Sequence, residues 1–169
     1  MVSRIVEQAL NAQVAKEAIS SQIYLAMASW AEVQGLEGIA AFLYSHSDEE
    51  RMHTLKLMHY INERGGHAVV PALPKPPAGM KNIMDVFKSI LQQEIEVSAD
   101  INAIVDLCLK EKDYTTHNFM QWYVAEQIEE ERLARTLLDK LNLIGNDKAG
   151  LYLFDRDLMG GKGQGAKSQ

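Results

Sequence analysis

The chain is 169 residues long, 47% apolar and 24% charged, which is one domain with enough chain to bury a core. Its 23 acids against 17 bases leave a formal charge of −6, the wrong sign for a nucleic-acid binder. A single cysteine, Cys108, excludes a disulfide framework or a cysteine zinc site within the chain; no stretch approaches the ~20 apolar residues of a membrane helix and the opening MVSRIVEQAL has no apolar leader, so a soluble, cytoplasmic protein is expected.

Glycine and proline, the strongest punctuation in a sequence, divide the chain into four long segments and one short one. The first spans about 3–34 and ends at Gly35. One stripe recurs at three- and four-residue spacing through Val6, Leu10, Gln13, Glu17, Ser20, Tyr24, Met27 and Ala31, mostly apolar at its two ends. That period is helical. The second, about 36–63, carries Ile39, Leu43, His46, Glu50, His53, Leu57 and Tyr60 on one stripe. A linker of about 64–81 follows, and all four prolines (Pro71, Pro74, Pro76, Pro77) lie in it, so it is not helical. The third segment, about 82–110, aligns Ile83, Phe87, Ile90, Glu94, Val97, Ile101, Ile104 and Cys108. The fourth, about 114–142, aligns Phe119, Tyr123, Glu126, Glu130, Leu133 and Leu137, and a short fifth runs over about 148–158. Residues 159–169 are rich in Gly, Lys and Ser and read as a flexible tail behind a single domain of residues 1–158.

Helices of roughly 30 residues are about 45 Å long. With short links they pack as antiparallel pairs, first with second and third with fourth. The long proline-rich strap can run the length of such a bundle and leave the second and third helices parallel. The fold class is therefore an all-α four-helix bundle with a long crossover and a short fifth helix.

Each core stripe carries an acid near mid-helix: Glu17, Glu50, Glu94 and Glu130. Antiparallel packing keeps the middle at the middle, so the four carboxylates meet at one height. An unpaired ionised carboxylate in a core costs several kcal/mol even after relaxation, and four together also repel. No basic residue on these stripes lies near mid-bundle. Either some of the acids are protonated or a cation sits among them. His53, three residues after Glu50, points the same way on its helix. Carboxylate oxygens with one imidazole suit a first-row transition metal, or two such ions sharing a bridging carboxylate.

These residues make the sequence similar to the bacterial non-haem ferritins of the ferritin-like di-iron family. The resemblance runs from Met1 to about Leu158. It is carried by Glu17 with Tyr24, by the run Asp48-Glu49-Glu50-Arg51-Met52-His53, by Glu94, and by the run from Trp122 to Glu131. It implies a ferroxidase centre in which Glu17, Glu50 and His53 hold one iron. Glu50 bridges to a second iron, which Glu94 and Glu130 also hold with Gln127 close by. It implies a third iron site from Glu49, Glu126 and Glu129 together with Glu130, and a redox role for Tyr24 beside the centre. Fe(II) is then the substrate, O₂ or H₂O₂ the oxidant, and the mineral lies inside a homo-oligomeric shell of about 24 subunits, with the fifth helix near the fourfold axes. No nucleic-acid or membrane partner is implied.

Two departures from relatives matter. Bacterioferritin-like and rubrerythrin-like bundles carry a second Glu-x-x-His on the fourth helix, where this chain has Gln127 and Glu130, so the second iron loses its nitrogen ligand. This argues against the alternative of a rubrerythrin-like peroxidase or oxygenase with a stable cofactor. The bacterioferritin haem methionine directly follows the bridging glutamate. Here Arg51 holds that place and Met52 is rotated about 100° away, so no haem is expected. A cytokine-like interaction bundle would give no reason for buried acids at matched heights. His46 is read as a core histidine with its own hydrogen bond, Trp30 and Trp122 as packing anchors, and Cys108 as an inert core thiol.

Overall fold

The computed structural model describes residues 1–160, and the tail expected from 159 lies, from 161 onward, outside the described residues. Five helices follow in order: α1 (Arg4–Val33), α2 (Glu37–Glu63), α3 (Ile83–Lys110), α4 (Tyr114–Ile144) and α5 (Lys148–Gly160). The described residues contain no strand. The all-α bundle with a fifth helix is as the stripes predict, although α4 and α5 each run slightly past their expected ends. No described helix is long and apolar enough to cross a membrane.

Most helix starts are set by local chemistry. Ser3 accepts from Val6 N at 3.4 Å, Asn82 from Asp85 N at 2.9 Å, and Asp113 from Thr116 N at 3.0 Å, each a side-chain oxygen satisfying an otherwise orphaned first-turn donor. The short α1–α2 link closes through Gly35 at φ +75°, a left-handed conformation costly for other residues.

Contacts along the helices fix their directions. Tyr60, His53 and His46 descend α2 as their partners Thr116, Tyr123 and Glu130 ascend α4, so these two helices are antiparallel. Tyr24 with Glu94, Lys16 with Asp100 and Ser3 with Glu111 run α1 antiparallel to α3. Ser21 with Ser47 and Tyr44 with Glu32 do the same for α1 and α2. Hence α2 and α3 are parallel, and the strap between them traverses the bundle. Its first stretch is tied to α1 by Asn11, whose side chain donates to His67 O at 3.0 Å and accepts from Val69 N at 2.7 Å.

The α2 start was not legible from its own segment. Leu36 offers no side-chain cap. Instead Asp155 of α5 accepts from Ile39 N at 2.8 Å. Gly38 makes this approach possible, since a Cβ there would run into the Asp155 carbonyl. We predict that Gly38→Ala displaces α5 at a cost of about 1–3 kcal/mol by overpacking, and that Asp155→Ala costs about 1 kcal/mol as a lost cap. Denaturation midpoints and hydrogen exchange of the α5 amides measure both; protection of α5 equal to wild type in Gly38→Ala would refute the close-contact account.

The apolar core comes in two parts. One gathers Val6, Leu10, Val14, Leu57, Ile61, Ile101, Ile104, Cys108 and Met120 at one end. The other gathers Met27, Ala28, Ile39, Leu43, Phe87, Ile90, Leu137 and Phe154 at the opposite end. Between them lies a buried polar band.

Candidate metal centre

The band consists of the residues whose cost in a core singled them out. Glu94 is 0% exposed, Glu17 1%, His53 4%, Glu50 5% and Glu130 9%. Each comes from a different turn of α1 to α4, near mid-helix, because a helical stripe that continues through the core has no solvent to reach. Glu17, Glu50 and His53 place one ligand atom each within 4.8 Å of one another. His53 Nδ1 lies 3.6 Å from Glu17 Oε2 and 3.5 Å from Glu50 Oε2. Glu50 Oε2 has no aligned hydrogen bond.

Neighbouring side chains hold the acids in place. Gln13, one turn before Glu17, donates to Glu17 Oε1 at 2.7 Å. Tyr24 OH donates to Glu94 Oε1 at 2.7 Å, and Gln127 Nε2 donates to Glu94 Oε2 at 3.1 Å. Tyr24 and Gln127 thus converge on one carboxylate from opposite helices. Tyr123 OH donates to the His53 carbonyl at 2.8 Å. The exposed Trp122 packs edge-on against the His53 ring at 5.3 Å, with Lys56 Nζ 4.1 Å above the indole. The tryptophan read as an anchor is therefore at the surface end of the band.

Electrostatics show how the metal-free band carries its acids. Burial pushes Glu50 well above the usual carboxylate range, the Glu17 charge adding to it. Burial also raises Glu94 despite the Tyr24 and Gln127 donors. Burial, then the Glu94 and Glu49 charges, lift Glu130 to about 8. Burial opposes the charge on Glu17 too, but the neighbouring His53 and Glu50 side chains and the Gln13 donor outweigh it and keep Glu17 below its ordinary value. Burial alone would lower His53, yet the Glu17 and Glu50 carboxylates, 3.6 and 3.5 Å from its Nδ1, raise it to about 11. The missing counter-charge is thus His53 itself, as an imidazolium, with protons on its neighbours. Burial and the charges of Glu94, Glu50 and Glu130 hold Tyr24 far above its ordinary value, so it remains a phenol.

The outer acids are arranged differently. Glu49 joins two further groups of ligand atoms within 4.8 Å, one with His53 and Glu126 and one with His46 and Glu130. Glu129 is exposed and belongs to none of these groups. From sequence, His46 reads as a core histidine bonded to its own helix. It does bond Phe42 O at 2.9 Å, but its other nitrogen faces Glu130. The available signal was its three-residue spacing from Glu49. Cys108 is buried, and desolvation pushes its thiol up to about 11, consistent with an inert thiol.

The chain matches the model of the ferritin-like domain over residues 7–144. It is 44% identical over 158 residues to a probable bacterial non-haem ferritin-like protein of Haemophilus influenzae, covering 94% of this chain and 96% of that one. It is 42% identical over 156 residues to the bacterial non-haem ferritin of Campylobacter jejuni, covering 92% and 93%. Among solved structures, an open-pore ferritin of the archaeon Archaeoglobus fulgidus superposes with a TM-score of 0.92 at 37% identity, over 94% of this chain and 98% of that one. Chlorobium tepidum ferritin superposes at 0.84 with 40% identity, over 93% and 95%. A bundle with buried carboxylates in mid-core, matched in sequence and shape over nearly its whole length, belongs to the ferritin family, and its named relatives are the bacterial non-haem ferritins.

Proposed function

We propose that this chain stores and detoxifies iron as a ferroxidase, oxidising Fe(II) at a di-iron centre and depositing Fe(III) mineral inside a closed shell of about 24 identical subunits. The observation that carries the reading is the buried Glu17–Glu50–His53 group, whose Glu50 Oε2 lacks a hydrogen-bond partner and faces a band of further carboxylates. Oxygen donors with a single imidazole suit divalent first-row ions. One Fe(II) is held by Glu17, Glu50 and His53. Glu50 bridges to a second, held by Glu94 and Glu130 with Gln127 beside it. Glu49, Glu126 and Glu129, together with Glu130, supply a third position. Each of the two ions gives one electron to the oxidant, O₂ or H₂O₂, and Tyr24, hydrogen-bonded to Glu94, is placed to supply a further one.

The centre is asymmetric. Without a histidine at Gln127 or Glu130, the second position is weaker than the first, which suits iron that passes onward rather than a resident cofactor. Storage itself requires assembly, since one bundle encloses no space for a mineral. Size-exclusion chromatography before and after aerobic Fe(II) addition, read for protein and iron together, tests the whole reading. A large species with co-eluting iron is expected; a small species with no iron under its peak would sink it.

A further inference from the structure

Gln127 is an amide among carboxylates, and an amide has two unlike ends. Its nitrogen donates and repels a cation, while its oxygen accepts and binds one. Which end faces the second metal position therefore matters. Gln127 Nε2 lies 3.2 Å from the Glu94 carbonyl, 3.1 Å from Glu94 Oε2 and 3.5 Å from Ser98 Oγ. A backbone carbonyl only accepts, so the nitrogen is the end turned to α3. Among the described residues every hydrogen bond of this side chain runs through that nitrogen, which leaves Oε1 free.

Ser98 is held ready for its contact. Its hydroxyl has one proton and gives it to Glu131 Oε1 at 2.6 Å, so its oxygen faces Gln127 as an acceptor alone. Arg135 donates to the other Glu131 oxygen at 3.1 Å. Arg135 is exposed, Glu131 and Ser98 are half-buried, and Gln127 and Glu94 are buried, so the contacts run from the surface inward to the band. In the metal-free band two N–H groups serve three acceptors, and Ser98 has the longest contact. The balance changes when Glu94 turns its oxygens to an ion. The N–H that served Glu94 Oε2 then needs another acceptor, because a buried donor left unpaired is costly.

We infer that Ser98 and Glu131 are positioning residues for the second metal position. Ser98, its proton taken by Glu131, receives the Gln127 N–H that Glu94 gives up, and so keeps Gln127 Oε1 turned toward the ion. Without Glu131 the Ser98 hydroxyl is free to donate to Oε1 and draw the wrong end of the amide to α3. That the second position takes Fe(II) rests on the proposed ferroxidase reading; the orientation of the amide rests on the hydrogen bonds alone.

Anaerobic calorimetric titration of the assembled, metal-free protein with Fe(II) tests this. Glu17→Ala and Glu94→Ala identify the first and second binding classes by the class each removes. Ser98→Ala is expected to weaken the Glu94-dependent class at least about tenfold and to leave the Glu17-dependent class as in wild type. Glu131→Ala is expected to do the same, while Ser98→Thr, which keeps the hydroxyl, binds like wild type. In a Gln127→Ala background Ser98→Ala adds nothing further, because the side chain it positions is gone. An unchanged second class in Ser98→Ala overturns the proposal. So does equal weakening of both classes, or a Ser98→Ala effect that persists in full without Gln127, since either means that Ser98 only packs α3 against α4. Failure of the ferroxidase reading looks different: neither Glu17→Ala nor Glu94→Ala then changes the titration at all.

Discussion

Glu50→Gln is expected to slow the fast phase of Fe(II) oxidation at least about 100-fold, while leaving the metal-free protein as stable as wild type or more so. Loss of a group that merely orients a metal ligand already costs about 10–100-fold, and Glu50 is the proposed bridge between both ions. The stability half follows from the same atom. Glu50 Oε2 is buried and has no hydrogen-bond partner, and a buried polar atom left unpaired costs about 1–3 kcal/mol. Glutamine keeps the shape, removes the charge that Glu17 and Glu94 disfavour, and adds two donors beside Glu17.

His53→Ala should do the reverse to stability. It strips Glu17 of its buried imidazolium, and breaking a buried pair costs about 3–5 kcal/mol. Both variants lose the same chemistry, so the contrast between them isolates the electrostatics of the band. Stopped-flow absorbance after Fe(II) mixing reads the first effect, and thermal melting of chelator-treated protein reads the second. A Glu50→Gln protein that melts well below wild type would show that Glu50 stabilises the fold. One that oxidises Fe(II) at the wild-type rate would remove Glu50 from the centre.

That the band would exist was legible because it needed only local rules. Breakers mark the helix ends, the 3.6-residue period fixes which side chains share a stripe, and antiparallel packing preserves mid-helix height. Ser3, Asn82 and Asp113 cap their helices through residues three positions on, within the same local range. What stayed hidden depends on the register between helices. Asp155 caps α2 from a helix far along the chain. His46 faces Glu130 only because α2 and α4 are set so that His53 meets Tyr123 one step further along. The stripes also held a counter-charge after all. Histidine is neutral near pH 7 by its ordinary value, and only the convergence of Glu17 from α1 with Glu50 makes His53 a cation. A charge created by tertiary contact cannot be counted from a sequence.

The protons that stabilise the empty band must leave when metal enters, so apparent metal affinity should rise with pH. A ligand binds metal only when deprotonated. His53 holds its proton up to about 11 and Glu130 up to about 8. Below about 8, an ion that uses both groups displaces protons from both. Each displaced proton raises the apparent affinity about tenfold per pH unit. Above about 8, Glu130 is already ionised and the slope falls by its share. The metal-free fold responds with the opposite sign. A group whose folded value is raised contributes stability that is full below its unfolded value and is lost as pH rises through its folded value. For Glu130 that window runs from 4.5 to about 8, and for His53 from 6.5 to about 11. Raising the pH should therefore loosen the empty bundle and tighten its grip on Fe(II). Anaerobic titrations in buffers of different ionisation enthalpy count the protons released. Glu130→Ala should release fewer than wild type near pH 7 and the same number well above 8. Equal proton release at both pH values in both proteins would mean that Glu130 does not bind the metal.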